Sequence, residues 1–204
     1  DAAERGWDTA AQSLAYLEEV IELEGPKHIA AFILETISGT NGILVPPDRY
    51  LQGVRALCDQ YGILMIADEV MAGFGRTGRW FAVDHWNVVP DIMTMAKGLT
   101  SAYVPLGAVG VRRKIADHFT DKVFPSGLTY NSHPLGCATA LAAIGVLEDD
   151  KLDWYSTKDN PQPAIQHFGP KERSGYGPWV AAAVRHSAGL AEGRAVVEVQ
   201  PGQL

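Results

Sequence analysis

Cysteine is scarce: two residues in 204, Cys58 and Cys137, far apart and outside any Cys-x-x-Cys spacing. That excludes a disulfide framework and a cysteine zinc site, and it suits a reducing compartment. Basic charge is also in deficit, 17 Lys and Arg against 24 Asp and Glu, for a formal net charge of −7. With no basic block or stripe, binding to nucleic acid or to an anionic membrane is not expected. No apolar run approaches the roughly 20 residues of a spanning helix, and no signal-peptide pattern opens the chain, so a cytoplasmic setting is expected. The first residue is Asp1 rather than Met, so the chain reads as a processed or incomplete product. A phosphate-cradling G-x-x-x-x-G-K-[ST] loop is missing throughout. Without it the apolar run ending in Asp68-Glu69 has no nucleotide to serve, which removes a P-loop ATPase.

What is present is an ordinary globular composition, 47% hydrophobic and 20% charged, with apolar mass for one sizeable core. Leu14, Leu17, Val20, Ile21 and Leu23 form a helical stripe over Thr9 to Glu24, closed by Gly25-Pro26. The stretch HIAAFILET reads as a buried strand. A second helix is expected to start at Pro46-Pro47-Asp48, with Leu51, Val54, Leu57, Cys58 and Tyr61 on one face and Gly62 as its stop. Ile63 to Ala67 is a short continuous apolar run, the mark of a strand covered on both faces. Asp91 to Ala96 and Leu106 to Val111 read as further strands, and Ser132-His133-Pro134 opens an apolar helix to about Leu147. This alternation predicts an α/β domain with a mostly parallel sheet, whose ligands bind outside the carboxyl ends of the strands. Asp68 and Lys97 each sit just past such a strand.

Gly73-Phe-Gly75-Arg-Thr-Gly78 fits the dinucleotide spacing G-x-G-x-x-G. It does not follow its strand directly, and Pro90 comes soon after, so it reads as a glycine-rich turn. Asp68-Glu69 reads as an acid pair at a strand end. Lys97, in DIMTMAKGL, is either a snorkelling strand-end lysine or an amine drawn into an apolar site, where its neutral, imine-forming state is favoured. His85, His118 and His133 have no metal-ligand spacing and read as structural or exposed; no metal is expected.

From about Gly25 to Asp150 the chain resembles the class III pyridoxal-phosphate-dependent aminotransferases, the ω-aminotransferases. The matching stretches are AAFILETISGTNGILVPPDRYLQGVRALCDQYGILMIADEV, GFGRTG, PDIMTMAKGLTSAYVPLGAV and LTYNSHPLGCATALA, in that order. The resemblance implies part of the large cofactor-binding domain of a fold-type I enzyme, a three-layer, mostly parallel α/β sheet, and pyridoxal 5'-phosphate as cofactor. It makes Asp68 the partner of the pyridinium nitrogen and Lys97 the Schiff-base lysine that also carries the substrate proton. It sets Val70 against the ring face and Thr129 on the cofactor phosphate of the neighbouring subunit in a homodimer. It puts Glu35 near the substrate, with Tyr103 as a further pocket residue. The implied reaction is transamination, from an ω-amino acid or an amine (taurine-like among them) to pyruvate or 2-oxoglutarate. An aminomutase, a decarboxylase or an inactive fragment with the same fold are the alternatives.

The chain departs from that pattern in several places. Several relatives have glutamine at the position of Met71, to bond the phenolic oxygen of the cofactor, and methionine cannot donate there. The family's Gly/Ser-rich phosphate loop and its ring-stacking aromatic are not found before Gly25. Residues 1–152 therefore read as a partial cofactor-binding domain. Residues 153–204, rich in Ala, Gly and Pro, read as an atypical tail with no assigned domain.

Overall fold

The computed structural model describes residues 8–149, so the tail 153–204 lies outside the described residues. Helix α1 spans Thr9–Glu24. The Asp8 side chain accepts the Ala11 amide at 3.0 Å, satisfying one of the donors that a helix start leaves open. Strand β1 spans Ala31–Glu35, after a 3₁₀ turn at Pro26–His28. It is shorter than the apolar stretch suggested because that turn occupies the stretch's upstream end.

Helix α2 runs Tyr50–Tyr61, starting later than the two prolines suggest. Pro47 instead closes a turn onto the Tyr50 amide, and Arg49 takes a left-handed φ of 69° before the helix begins. Gly62 ends it in the left-handed conformation that glycine adopts without steric cost. Strands β2 (Leu64–Asp68), β3 (Ile92–Met95) and β4 (Ala108–Val111) follow. A short helix α3 (Arg113–Ala116) and the long α4 (Pro134–Asp149) complete the described residues. No helix among them is long and apolar enough to cross a membrane.

The sheet has strand order β1-β2-β3-β4, with β1–β2 and β2–β3 parallel and β3–β4 antiparallel. The period-2 alternation of strands sorts its side chains onto two faces. On one face Phe32, Leu34, Met65, Ala67, Met93 and Met95 pack into the core beneath α1, α2 and α4. On the other face lie Ile33, Ile66, Ile92 and Val111 in one cross-strand row. Nothing described covers that row's outer end, and Ile33 remains 60% exposed. The expectation that β2 is covered on both faces is thus corrected. Met65 and Ala67 are buried while Leu64 and Ile66 are only half-buried, because the described helices all lie on one side.

At the amino end of β3, Asp91 is 1% exposed and accepts the Met65 amide at 3.0 Å and the Arg55 guanidinium at 2.7 Å. The Lys114 ammonium lies 2.8 Å away and Arg112 at 3.7 Å. This cluster ties α2, β2, β3 and α3 together at one end of the sheet. Burial alone would raise the carboxyl pKa, but Lys114, the Met65 amide and Arg55 outweigh it and hold the pKa at about 2.

Because the folded-state pKa is depressed, Asp91 adds stability that is present above its unfolded value of 3.8 and is lost as the pH falls toward about 2. Asp91→Asn is expected to cost about 2–3 kcal/mol at neutral pH, less than for a fully dry pair because Lys114 and Arg112 reach solvent. Urea denaturation of both chains from neutral pH downward checks this. The stability gap should close as the pH approaches the depressed value, and a gap independent of pH would contradict the ionic role.

Candidate active site

The carboxyl ends of the three parallel strands are level. Glu35, Asp68 and Thr94 are Cα partners across β1, β2 and β3, and their side chains share the bare face of the sheet. Asp68 is half-buried. One carboxylate oxygen, Oδ1, accepts the Val70 amide at 2.9 Å, which fixes the turn out of the strand. Its second oxygen takes no hydrogen bond among the described residues. Val70 is itself half-buried beside it.

Lys97 follows the end of β3 and opens a 3₁₀ turn, Lys97–Thr100. Its φ of 44° is left-handed, a conformation costly for a residue with a Cβ. The turn is held from below. Leu99 is fully buried among Phe74, Phe81, Ala140 and Ile144, and the Thr100 hydroxyl donates to the Val104 carbonyl at 2.7 Å. Gly98 is required by close approach, since a Cβ there would lie 2.7 Å from Phe74 Cβ. The lysine side chain is exposed. Of the two readings open to it, enclosure in an apolar site is not met within these residues.

Glu69 organises the loop between these groups. It is completely buried, and its carboxylate accepts the Thr36 hydroxyl at 2.7 Å, the Val83 amide at 2.9 Å and the Ala82 amide at 3.0 Å. Its own amide donates to the Thr94 carbonyl, and its carbonyl accepts from Gly73. Burial pushes its pKa up to about 7, against the pull of the Ala82, Thr36 and Val83 donors. Gly73 lies so close that a Cβ would come within 2.8 Å of the Glu69 carbonyl oxygen. From Gly73 to Gly78 the chain makes consecutive turns, with Phe74 donating to Trp80 and Gly78 to Gly75, and no helix opens there. The dinucleotide spacing is therefore a turn, seated on the strand ends.

The remaining candidates are dispersed. The Glu35 carboxylate is exposed and accepts the Gly39 amide at 2.8 Å. Met71 lies over the same glycine, its Cγ 3.1 Å from where a Cβ would stand. Tyr103 is 82% exposed, with its amide bonded to Thr100. Thr129 sits exposed in a turn closed by the Asn131 amide on the Leu128 carbonyl. Neither makes a hydrogen bond to Asp68 or Lys97 among the described residues. His85 is half-buried, and its Nε2 lies 3.0 Å from the Thr77 hydroxyl. Burial and the nearby Arg79 lower its pKa to about 4, so it serves this loop as a neutral ring.

Two residues of consequence had no assigned part from the sequence, Glu69 and Thr94. The Thr94 Oγ1 is buried and has no hydrogen-bond partner among the described residues. Its signal lay in the register, which sets a hydroxyl beside Asp68, next to the aliphatic row Ile33, Ile66, Ile92 and Val111.

Comparison with known proteins gives a consistent result. The aminotransferase class-III family profile matches residues 2–162. An omega-aminotransferase of Caulobacter vibrioides is 45% identical over 142 residues, covering 67% of this chain and 32% of that protein. A putrescine–pyruvate aminotransferase of Pseudomonas aeruginosa is 45% identical over 137 residues, covering 67% of this chain and 30% of that protein. Among solved structures, the taurine:2-oxoglutarate aminotransferase of Bifidobacterium kashiwanohense, in complex with PLP and glutamate, superposes with a TM-score of 0.70 at 51% identity. That match covers 71% of this chain and 32% of the other. The chain thus spans about a third of the length of the relatives it matches.

A raised carboxyl pKa makes Glu69 cost stability as it ionises. Stability is fullest below its unfolded value of 4.5 and falls as the pH rises through about 7. The full decline is on the order of 3 kcal/mol. Glu69→Gln should abolish this slope while lowering stability in acid by about 1–3 kcal/mol, since its amide faces backbone N–H donors. Urea midpoints measured on either side of this window decide it, and parallel slopes in the two chains would contradict the assignment.

Proposed function

We propose that this chain, which belongs to the class-III aminotransferase family, is part of the cofactor-binding domain of a pyridoxal-phosphate-dependent transaminase. The donor would be an ω-amino acid or an amine, taurine-like among them, and the acceptor pyruvate or 2-oxoglutarate. The taurine:2-oxoglutarate and putrescine–pyruvate relatives support that donor class. The observation that carries the reading is a carboxylate and a primary amine at neighbouring strand ends. Asp68 ends β2 with one oxygen unengaged, and Lys97 follows β3 with its amine exposed.

This donor set fits an aromatic aldehyde bearing a basic ring nitrogen, and the buried, unpartnered Thr94 hydroxyl beside Asp68 adds a polar group to the same wall. When bound, pyridoxal phosphate supplies an electron-accepting ring for the charge left by deprotonation at the substrate carbon. The free oxygen of Asp68 would hold a proton on the ring nitrogen. Lys97 Nζ would tether the cofactor through its aldehyde carbon and, once released, move a proton to and from the substrate. Val70 would pack against the ring. Thr129 would donate to the phosphate, from the neighbouring subunit of a homodimer. Glu35 and Tyr103 would stand toward the substrate. Met71 offers the phenolic oxygen no donor, so the ring would be held through its nitrogen and its aldehyde carbon.

A second reading, that residues 1–204 by themselves keep the fold without turnover, is favoured by the exposure of Lys97 and Thr129. A phosphate needs several preorganised donors, and Thr129 would supply only one.

Borohydride reduction with pyridoxal phosphate, followed by peptide mapping, should label Lys97, and the label should vanish in Lys97→Ala. Label on another lysine would sink the assignment. In a catalytically complete polypeptide containing these residues, Asp68→Asn should slow transamination by about 10²-fold or more with modest loss of cofactor, because a neutral amide cannot hold the ring proton. Turnover near the parent rate would contradict its role.

The 204-residue chain alone is expected to transfer little or no amino group to pyruvate. Steady turnover, followed together with the cofactor's visible absorbance, would show that the described strand ends suffice.

A further inference from the structure

We propose that Thr94 is a positioning residue for Asp68, its hydroxyl reserved for the carboxylate oxygen that the turn leaves free. This rests on the reading of Asp68 as partner to a ring nitrogen.

Thr94 stands on the bare face of the sheet. Its cross-strand neighbours are Asp68 on β2 and Val109 on β4, and the adjacent row is Ile33, Ile66, Ile92 and Val111. Valine has the same shape and the same β preference, so packing alone does not call for a hydroxyl here. The hydroxyl is buried and without a partner among the described residues, a condition that costs free energy until it is met. The backbone of Thr94 is already engaged, its carbonyl accepting the Glu69 amide at 3.0 Å.

Asp68 shows the complementary deficit. Oδ1 is committed to the Val70 amide, while Oδ2 has no donor among the described residues. The two residues are in direct register on adjacent parallel strands. Such strands lie about 4.8 Å apart, a gap that a threonine hydroxyl and an aspartate carboxylate bridge once their side-chain torsions turn toward each other. Donation from Thr94 would stop the carboxylate from rotating and so fix the direction in which it meets a ring nitrogen. Thr94 touches neither substrate nor cofactor in this role. It acts through Asp68.

The test has two arms. In the cofactor-free chain, the Thr94 hydroxyl proton should be slow enough in exchange to give an NMR resonance, kept in Thr94→Ser at the same position and lost in Asp68→Ala. A freely exchanging hydroxyl, or a resonance that survives Asp68→Ala, would overturn the proposal whether or not cofactor binds. The second arm compares pyridoxal phosphate with its 1-deaza analogue, in which carbon replaces the ring nitrogen. Thr94→Val should weaken binding of pyridoxal phosphate about tenfold, Thr94→Ser should restore it, and affinity for the analogue should be unchanged. Equal losses for both ligands would mean a merely structural threonine. If the parent chain binds neither ligand, the cofactor reading fails for this chain, and the first arm still decides the Thr94–Asp68 bond.

Discussion

Four segments of chain meet at one buried residue, Glu69, two through its carboxylate and two through its backbone, and the geometry of the candidate site depends on it. Glu69 joins the end of β1 through Thr36, the end of β3 through the Thr94 carbonyl, the turn at Gly73, and the 3₁₀ turn at Ala82–Trp86 through two backbone amides. Asp68 and Val70 are its chain neighbours, so their directions follow from its burial. A charged group is seldom taken so far from water, and here three donors offset the desolvation only in part. The loop is thereby pinned at its middle. Asp68, on the strand side of it, is left on the open face of the sheet.

The fold was largely legible in the chain because its signals were local and mutually consistent. The stripe from Leu14 to Leu23 and the Gly25 stop marked α1 to the residue, and Gly62 marked the end of α2. Asp68 and Lys97 were legible as candidates because a parallel sheet concentrates chemistry at its strand ends. Glu69 and Asp91 were harder, since an acid at a strand boundary reads as solvated. The alternation nevertheless contained them. In β2 the inward set Met65 and Ala67 continues to Glu69, and in β3 the inward set Met93 and Met95 begins at Asp91. What composition hides, period-2 extrapolation past the strand end reveals. The uncovered face of β2 was not legible at all. A run that is apolar at every position looks the same whether its second cover is present or not.

The two ends of the sheet use carboxylates in opposite ways. Asp91, at the amino end, is surrounded by Arg55, Arg112, Lys114 and the Met65 amide, and it acts as a clamp. Asp68, at the carboxyl end, has one backbone donor and spare capacity. The same side chain is thus spent on stability at one end and kept available at the other. The difference is made by neighbours on α2 and α3, which reach only the amino end.

Lys97 stands where the backbone favours glycine. With Ser101 at φ 50° and Ala102 at φ 63°, it belongs to a run of left-handed residues that the buried Leu99 and Thr100 hold in place. Each such residue costs on the order of 1 kcal/mol relative to glycine. On the proposed role of Lys97, the position sets folding and reactivity against each other. A chain that exchanged this lysine for glycine would relax its backbone and become more robust, at the loss of the amine that follows β3. Selection for thermal stability alone would drive the residue out, which, on that proposed role, makes it a point where gains in robustness register as losses in chemistry.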